Sequence, residues 1–319
     1  MFELVFLGTS SSAPSVQRGL SGHIIMHRQY RFLLDCGEGT QRQILHSGLG
    51  FKRLNKVLLT HSHLDHILGL GGLLSTLTRW ENLESVDIYG GRATLKRVSD
   101  LLFKVVFPGG QTPLEINLIT LESGIVMEDD KFALSAFPVS HRGPDCFGFV
   151  FAEKERRPFL DDKAAALGVP SGPERGRLVR GESVTLANGR TIHPSDVLGE
   201  TIPGVKYVHI GDVGRTDTLL EICRNANTLV IESTYIEEEA EMAAQFGHMT
   251  AARAARLAQE AEVQSLILTH LSRRYFERDV RREAQAIFPA TFVARDFDHF
   301  QITREGAHRL PKNEQGEVG

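Results

Sequence analysis

The sequence predicts an α/β protein with helices covering sheet faces, and three observations carry that prediction. Short apolar runs bounded by turn residues recur along the 319 residues, helical patterns lie between them, and both kinds occur in both halves. At roughly 150 residues per domain, the length allows two units or one large layered domain. Hydrophobic residues at 41% and charged residues at 24% exclude a collagen-like, disordered or membrane-embedded chain.

In chain order, the runs Leu4–Leu7, Phe32–Leu34, Lys56–Leu59, Val86–Tyr89, Phe147–Phe151, Val205–Ile210, Thr228–Ile231 and Ser265–Leu268 read as buried strands. Helices are expected over Thr40–Ser47, Ile67–Trp80, Ala93–Phe103, Thr216–Arg224, Thr250–Glu260 and Arg278–Ile287. In the fifth of these, Ala251, Ala254, Ala255 and Ala258 repeat at helical spacing behind Thr250, a cap residue. From Glu153 to about Glu200 the rhythm breaks: only Ser183–Leu186 shows a pattern, among Pro158, Pro170, Pro173, Pro194 and several glycines. So long an irregular insertion is functional or disordered. The expected organisation is a core over residues 1–303, interrupted by an arm over 153–200, with a polar, frayed tail over 304–319.

The N-terminus, Met1 to Leu7, reads as a first strand and lacks the regions of a signal peptide. No stretch approaches the roughly 18 apolar residues of a spanning helix. The cytoplasm is therefore the expected compartment, with no membrane partner. Cys36, Cys146 and Cys223 are odd in number and none forms a Cys-x-x-Cys pair, so buried free thiols are expected rather than disulfides or thiolate-bound zinc. The net charge of −4 does not by itself recommend a polyanionic partner, though local arginines can focus positive charge.

The strongest chemical signal is Thr60-His61-Ser62-His63-Leu64-Asp65-His66, directly after an apolar strand and before an apolar helix. Such a turn can aim His61 and His63 to one side and Asp65 and His66 to the other, which feeds two metal positions. Imidazole and carboxylate without thiolate suit zinc, manganese or similar divalent ions. Further donors are expected at strand ends elsewhere: His141 after Phe137-Pro138-Val139-Ser140, Asp212 after Val205–Ile210, and His270 after Leu266–Thr269.

His-x-His-x-Asp-His after a strand, followed by separated His, Asp and His, resembles the metallo-β-lactamase superfamily. The resemblance implies a four-layered αββα sandwich with the site at one edge of its sheets. It also implies one metal held by His61, His63 and His141, a second by Asp65, His66 and His270, and Asp212 bridging the two. Within the superfamily, several segments are similar to ribonuclease Z, which trims tRNA precursors at the 3′ end. They are Phe6-Leu7-Gly8-Thr9-Ser10 with Pro14 and Arg18, Phe32-Leu33-Leu34-Asp35-Cys36-Gly37-Glu38-Gly39-Thr40-Gln41, Ile67 to Leu74, and Thr269-His270-Leu271-Ser272-Arg273-Arg274-Tyr275. Gly19, Gly71 and Met249 depart from the family's usual Asn, Pro and Ser.

The insertion, from Leu167-Gly168-Val169-Pro170 through Gly189-Arg190, resembles the flexible arm with which this family grips the tRNA elbow. In its distal half Arg175, Arg177, Arg180 and Arg190 outnumber Glu174 and Glu182, and arginine contacts to phosphate position a nucleic acid without reading its bases. Glu232 and His248 match the family's paired Glu and His near the leaving group. The resemblance thus implies a precursor-tRNA endonuclease, a homodimer with two divalent ions per chain, leaving a 3′-hydroxyl on the tRNA and a 5′-phosphate on the trailer. In that reading Asp65 is a metal ligand and general base, His248 oriented by Glu232 donates the leaving-group proton, and Arg273 or Arg274 adds positive charge. Asp35 either fixes a ligand histidine or shapes a turn. The competing readings are a small-ester phosphodiesterase or arylsulfatase-like hydrolase, which would lack the arm, and a noncatalytic RNA-binding module, which would lack ligands.

Overall fold

The apolar runs of the N-terminal half build one sheet and those of the C-terminal half build most of another. The computed structural model describes residues 1–80 and 83–311. In chain order the strands are β1 (Phe2–Gly8), β2 (Gly22–His27), β3 (Tyr30–Leu34), β4 (Lys56–Leu58), β5 (Ser85–Gly90), β6 (Glu115–Thr120), β7 (Gly124–Glu128), β8 (Phe132–Pro138) and β9 (Phe147–Glu153). There follow β10 (Val184–Thr185), β11 (Thr191–Ile192), β12 (Lys206–His209), β13 (Thr228–Glu232), β14 (Leu266–Thr269), β15 (Thr291–Val293), β16 (His299–Thr303) and β17 (Gly306–Arg309). One sheet runs β17-β16-β1-β2-β3-β4-β5-β6 and the other β15-β14-β13-β12-β9-β8-β7.

Alternation along the strands decides the layering. In β12, Tyr207 faces Phe2 and Phe151, and His209 faces His23, all between the sheets. Val208 instead joins Ile210, Leu229, Ile231, Leu266 and Leu268 beneath the helices Ala251–Glu260 and Glu277–Gln285. On the other sheet Val5, Leu7, Leu33 and Val57 pack under the helices Thr40–His46, Leu70–Trp80 and Arg92–Asp100. The result is the four-layered αββα sandwich. Strands β3 to β6 and β12 to β15 each run parallel, and ligands of open parallel sheets gather beyond the carboxyl ends of such strands.

Several strands escape the sequence pattern for identifiable reasons. The strand β2 carries Gly22, His23 and His27, polar residues that break an apolar run although they are buried. At the sheet margins, β6 and β7 are half-exposed, so neither reads as apolar. The helix expected over Thr216–Arg224 is shorter, at Leu220–Cys223, preceded by a turn closed from Leu219 N–H to the Thr216 carbonyl. The tail expected to fray from residue 304 instead contributes β17, paired with β16; residues 312–319 lie outside the described residues.

Two compact units divide the chain: Met1–Asp129 with Ala133–Ala152 and the chain from Val205 onward, and Glu153–Gly204 with Asp130–Phe132. The second unit is folded where the sequence suggests irregularity. It contains the helices Asp161–Ala166, Pro173–Val179 and Pro194–Val197 and the β10–β11 hairpin, around Ala164, Val169, Leu178, Val184, Ile192 and Val197. Elements of two to seven residues are too short to display a period.

Candidate metal centre

The site begins at the carboxyl end of β4. Asp35, in a left-handed conformation at φ 54° just after β3, accepts from Thr60 N–H at 2.8 Å and from Thr60 Oγ1 at 2.8 Å. This pins the start of the histidine-rich turn. Its short helix Leu64–Ile67 begins after His63, and the turn leaves the His61 and His66 rings side by side, with centroids 4.1 Å apart, rather than on opposite sides.

The donors converge as two sets. His63 Nδ1 lies 2.9 Å from His61 Nε2 and 3.4 Å from His141 Nε2. Opposite, His270 Nε2 lies 3.3 Å from His66 Nε2 and 3.4 Å from Asp65 Oδ2. Asp212 stands between: its Oδ2 is 3.6 Å from both His61 Nε2 and His141 Nε2, and its Oδ1 is 3.4 Å from His66 Nε2 and 3.3 Å from His270 Nε2. His61, His63, His141 and Asp212 form one group able to hold a metal ion, and Asp65, His66 and His270 form another.

The chemistry of these donors fits divalent cations. Asp212 Oδ1 is buried without a hydrogen-bond partner among the described residues, and such an atom is costly to leave unpaired. His66 spends its Nδ1 proton on Asp35 at 2.7 Å and His270 spends its own on Thr234 Oγ1 at 2.9 Å. Their Nε2 lone pairs therefore face each other, which a cation, either a proton or a metal ion, resolves. Burial opposes the charge of Asp212, but His270, His66 and His61 hold its carboxyl well below the usual range. Burial, reinforced by neighbouring histidines, also lowers His61 and His63, favouring the neutral imidazole that binds metal.

Glu232, at the end of β13, binds Val213 N–H at 2.7 Å and His248 Nδ1–H at 2.9 Å through Oε1. Burial would lower His248, but the charge and hydrogen bond of Glu232 outweigh it and push the imidazole up to about 9. The preceding residue, Gly247, accepts from His141 Nδ1 at 2.7 Å, so the same turn orients one ligand and presents His248. His248 opens into a cleft of about 430 Å³ lined also by Ser12, Arg142, Tyr235, Phe246 and Arg273.

The structure brings together Glu232, His248 and all seven expected ligands, Asp65 among them. Arg273 and Arg274 reach the cleft wall, where Arg274 pairs with Glu239. Three of the arm arginines, Arg175, Arg177 and Arg180, are engaged within their own unit. Arg175 binds Asp161 at 2.6 Å and the carbonyls of Val169 and Pro170, while Arg177 and Arg180 share Glu182. The sequence reading missed the roles of Thr234 and of Ser12, whose N–H donates to Asp65 Oδ2 at 2.8 Å. Only the short spacing of Thr234 from Glu232 hinted at the former.

Residues 2–154 match the family described as anti-Pycsar protein Apyc1, and residues 175–271 match the β-lactamase superfamily domain. The chain is 45% identical over 302 residues to ribonuclease Z of Bradyrhizobium diazoefficiens, covering 95% of this chain and 100% of that one. It is 39% identical over 301 residues to ribonuclease Z of Gemmatimonas aurantiaca, covering 93% and 95%. Among solved structures, human tRNase Z, short form, superposes with a TM-score of 0.66 at 23% identity, covering 94% of this chain and 99% of that one.

Proposed function

The chain belongs to the ribonuclease Z family, and from that premise we propose how its site processes the 3′ end of precursor tRNA. It is a ribonuclease Z-type endoribonuclease with a histidine–aspartate cluster able to bind metal ions. His61, His63 and His141 would hold one divalent ion and Asp65, His66 and His270 a second, with Asp212 between the two sets available to both. Zinc is the metal we favour, because these donors are imidazole and carboxylate. The observation that carries the assignment is Asp212, whose two oxygens each face a different donor set.

Ions bound there would supply a water of lowered pKa and neutralise charge on the phosphate. Asp65, held by Ser12 N–H, accepts the proton released during attack. His248, kept cationic by Glu232, delivers a proton to the departing ribose oxygen. Arg273, on the cleft wall, meets the negative charge of the phosphate. The products are a tRNA with a 3′-hydroxyl and a trailer with a 5′-phosphate.

The arm spanning 153–200 grips the tRNA, and the enzyme works as a cytoplasmic homodimer. Among the described residues no helix is long and apolar enough to cross a membrane. Cleavage-site mapping on a precursor tRNA, run beside hydrolysis of a small phosphodiester, tests the reading. Cleavage at the 3′ side with both termini as stated is expected; hydrolysis of the diester alone would favour a small-ester phosphodiesterase.

A further inference from the structure

The ligand histidines are oriented by different kinds of acceptor. His66 Nδ1 meets a carboxylate, that of Asp35, and His141 Nδ1 meets the Gly247 carbonyl. His61 and His270 instead each meet a threonine hydroxyl, Thr60 Oγ1 at 3.0 Å and Thr234 Oγ1 at 2.9 Å. Each of those hydroxyls also touches a buried carboxylate: Thr60 lies 2.8 Å from Asp35 Oδ2, and Thr234 lies 2.5 Å from Glu232 Oε2. Both threonines and both acids are buried.

A hydroxyl has a single hydrogen, which settles its role. An ionised carboxylate only accepts, so at these distances each threonine must donate to its acid. The His270 carbonyl, at 3.1 Å, competes for the Thr234 proton, but yielding it would set two lone-pair-bearing oxygens against each other beside Glu232. With the proton committed, each Oγ1 can only accept, and what it accepts is the histidine Nδ1–H. That fixes the tautomer: Nε2 of His61 and of His270 is left with its lone pair toward the donor cluster. The same device occurs at two unrelated strand ends, after β4 and after β13, one for each donor set.

We propose that Thr60 and Thr234 are positioning residues, hydroxyl relays that carry the charge of Asp35 to His61 and of Glu232 to His270 and so set the affinity of each metal position separately. This rests on the ligand assignment above. Thr234 has the further consequence of tying His270 to the carboxylate that holds His248, so that the second donor set and the proton donor share one anchor.

The test is a calorimetric titration of metal-stripped protein with cobalt(II) or zinc, on Thr60→Val and Thr234→Val, which keep shape and remove the hydroxyl, and on Thr60→Ser and Thr234→Ser, which keep it. Loss of such outer hydrogen bonds typically weakens metal binding about 10–100-fold. Each Val variant should therefore weaken one of two binding steps by that factor, the double Val variant both, and the Ser variants neither. Should a Val variant fail to fold, the Ser and Ala variants at the same position, which differ by the hydroxyl alone, make the same comparison. Parental affinity in both Val variants, or equal losses for Ser and Val, would overturn the relay while leaving the ligand assignment standing. A parent protein binding fewer than two equivalents would overturn the assignment itself.

Discussion

At the scale of single residues, the proposed roles of His248 in proton delivery and of Asp212 in metal holding can be tested apart. His248→Ala should lower turnover on precursor tRNA by about 10²–10⁴-fold, the usual contribution of a general acid, without loss of metal. A diester with a p-nitrophenolate leaving group needs little protonation and should lose far less; an equal factor on both substrates would assign His248 a structural role. Because the folded imidazole titrates near 9, the donor is cationic below that pH, and precursor cleavage should fall as pH rises through about 9. Glu232→Gln removes the charge that raises it, so the fall should move to lower pH in the rate profile. Asp212→Ala, removing oxygens that face both sets, should weaken both metals together; two full equivalents by elemental analysis would refute the bridging assignment.

Among the elements, the arm is the most separable. Its ends meet, since a Cβ on Gly204 would lie 1.9 Å from the Glu153 carbonyl oxygen, so residues 155–203 can be replaced by a short Gly-Ser linker. We expect metal content and small-diester hydrolysis to survive, and precursor cleavage to fall mainly through KM. Equal loss on both substrates would show that the segment belongs to the catalytic core. The arm arginines should divide by their bonds. Arg175→Ala breaks an ion pair and two carbonyl contacts, and limited proteolysis should find the arm loosened. Arg177 and Arg180 share one exposed glutamate, a solvent-screened interaction that phosphate can replace. Replacing each by alanine should reduce the salt dependence of tRNA binding by about one unit of slope, as expected for a lost phosphate contact.

For the whole molecule, the centre ties the two sheets together: His61, Asp65 and His66 follow β4 of one sheet, while Asp212, Glu232 and His270 stand at strand ends of the other. Bound ions should therefore stabilise the sandwich. At a free metal concentration of about 100 times Kd the linkage is worth about 2.7 kcal/mol for each ion. Chelation should lower Tm by roughly 5–10 °C for each ion removed at the usual slope for large domains, and scanning calorimetry with and without chelator measures it. An unchanged Tm would place the ions outside the folding equilibrium.

Most of the strands that carry the site are legible in the sequence, because buried parallel strands are apolar runs and His61, Asp212 and His270 stand just past the ends of three of them; His141 instead follows β8, an antiparallel strand of alternating burial that shows no such run. The sequence by itself also determined the chemistry of the donors, since four metal-competent side chains within six residues have few packing uses. Which strand ends meet is a matter of the folded chain, because His66 and His270 are separated by 204 residues of chain yet lie 3.3 Å apart. The tertiary structure alone decided the small folded arm, whose elements are too short to register a period, and the strand β17 within an otherwise polar tail. The threonine relays also belong to it: a hydroxyl becomes an obligate acceptor only where a buried carboxylate claims its proton, and proximity of that kind is written in three dimensions.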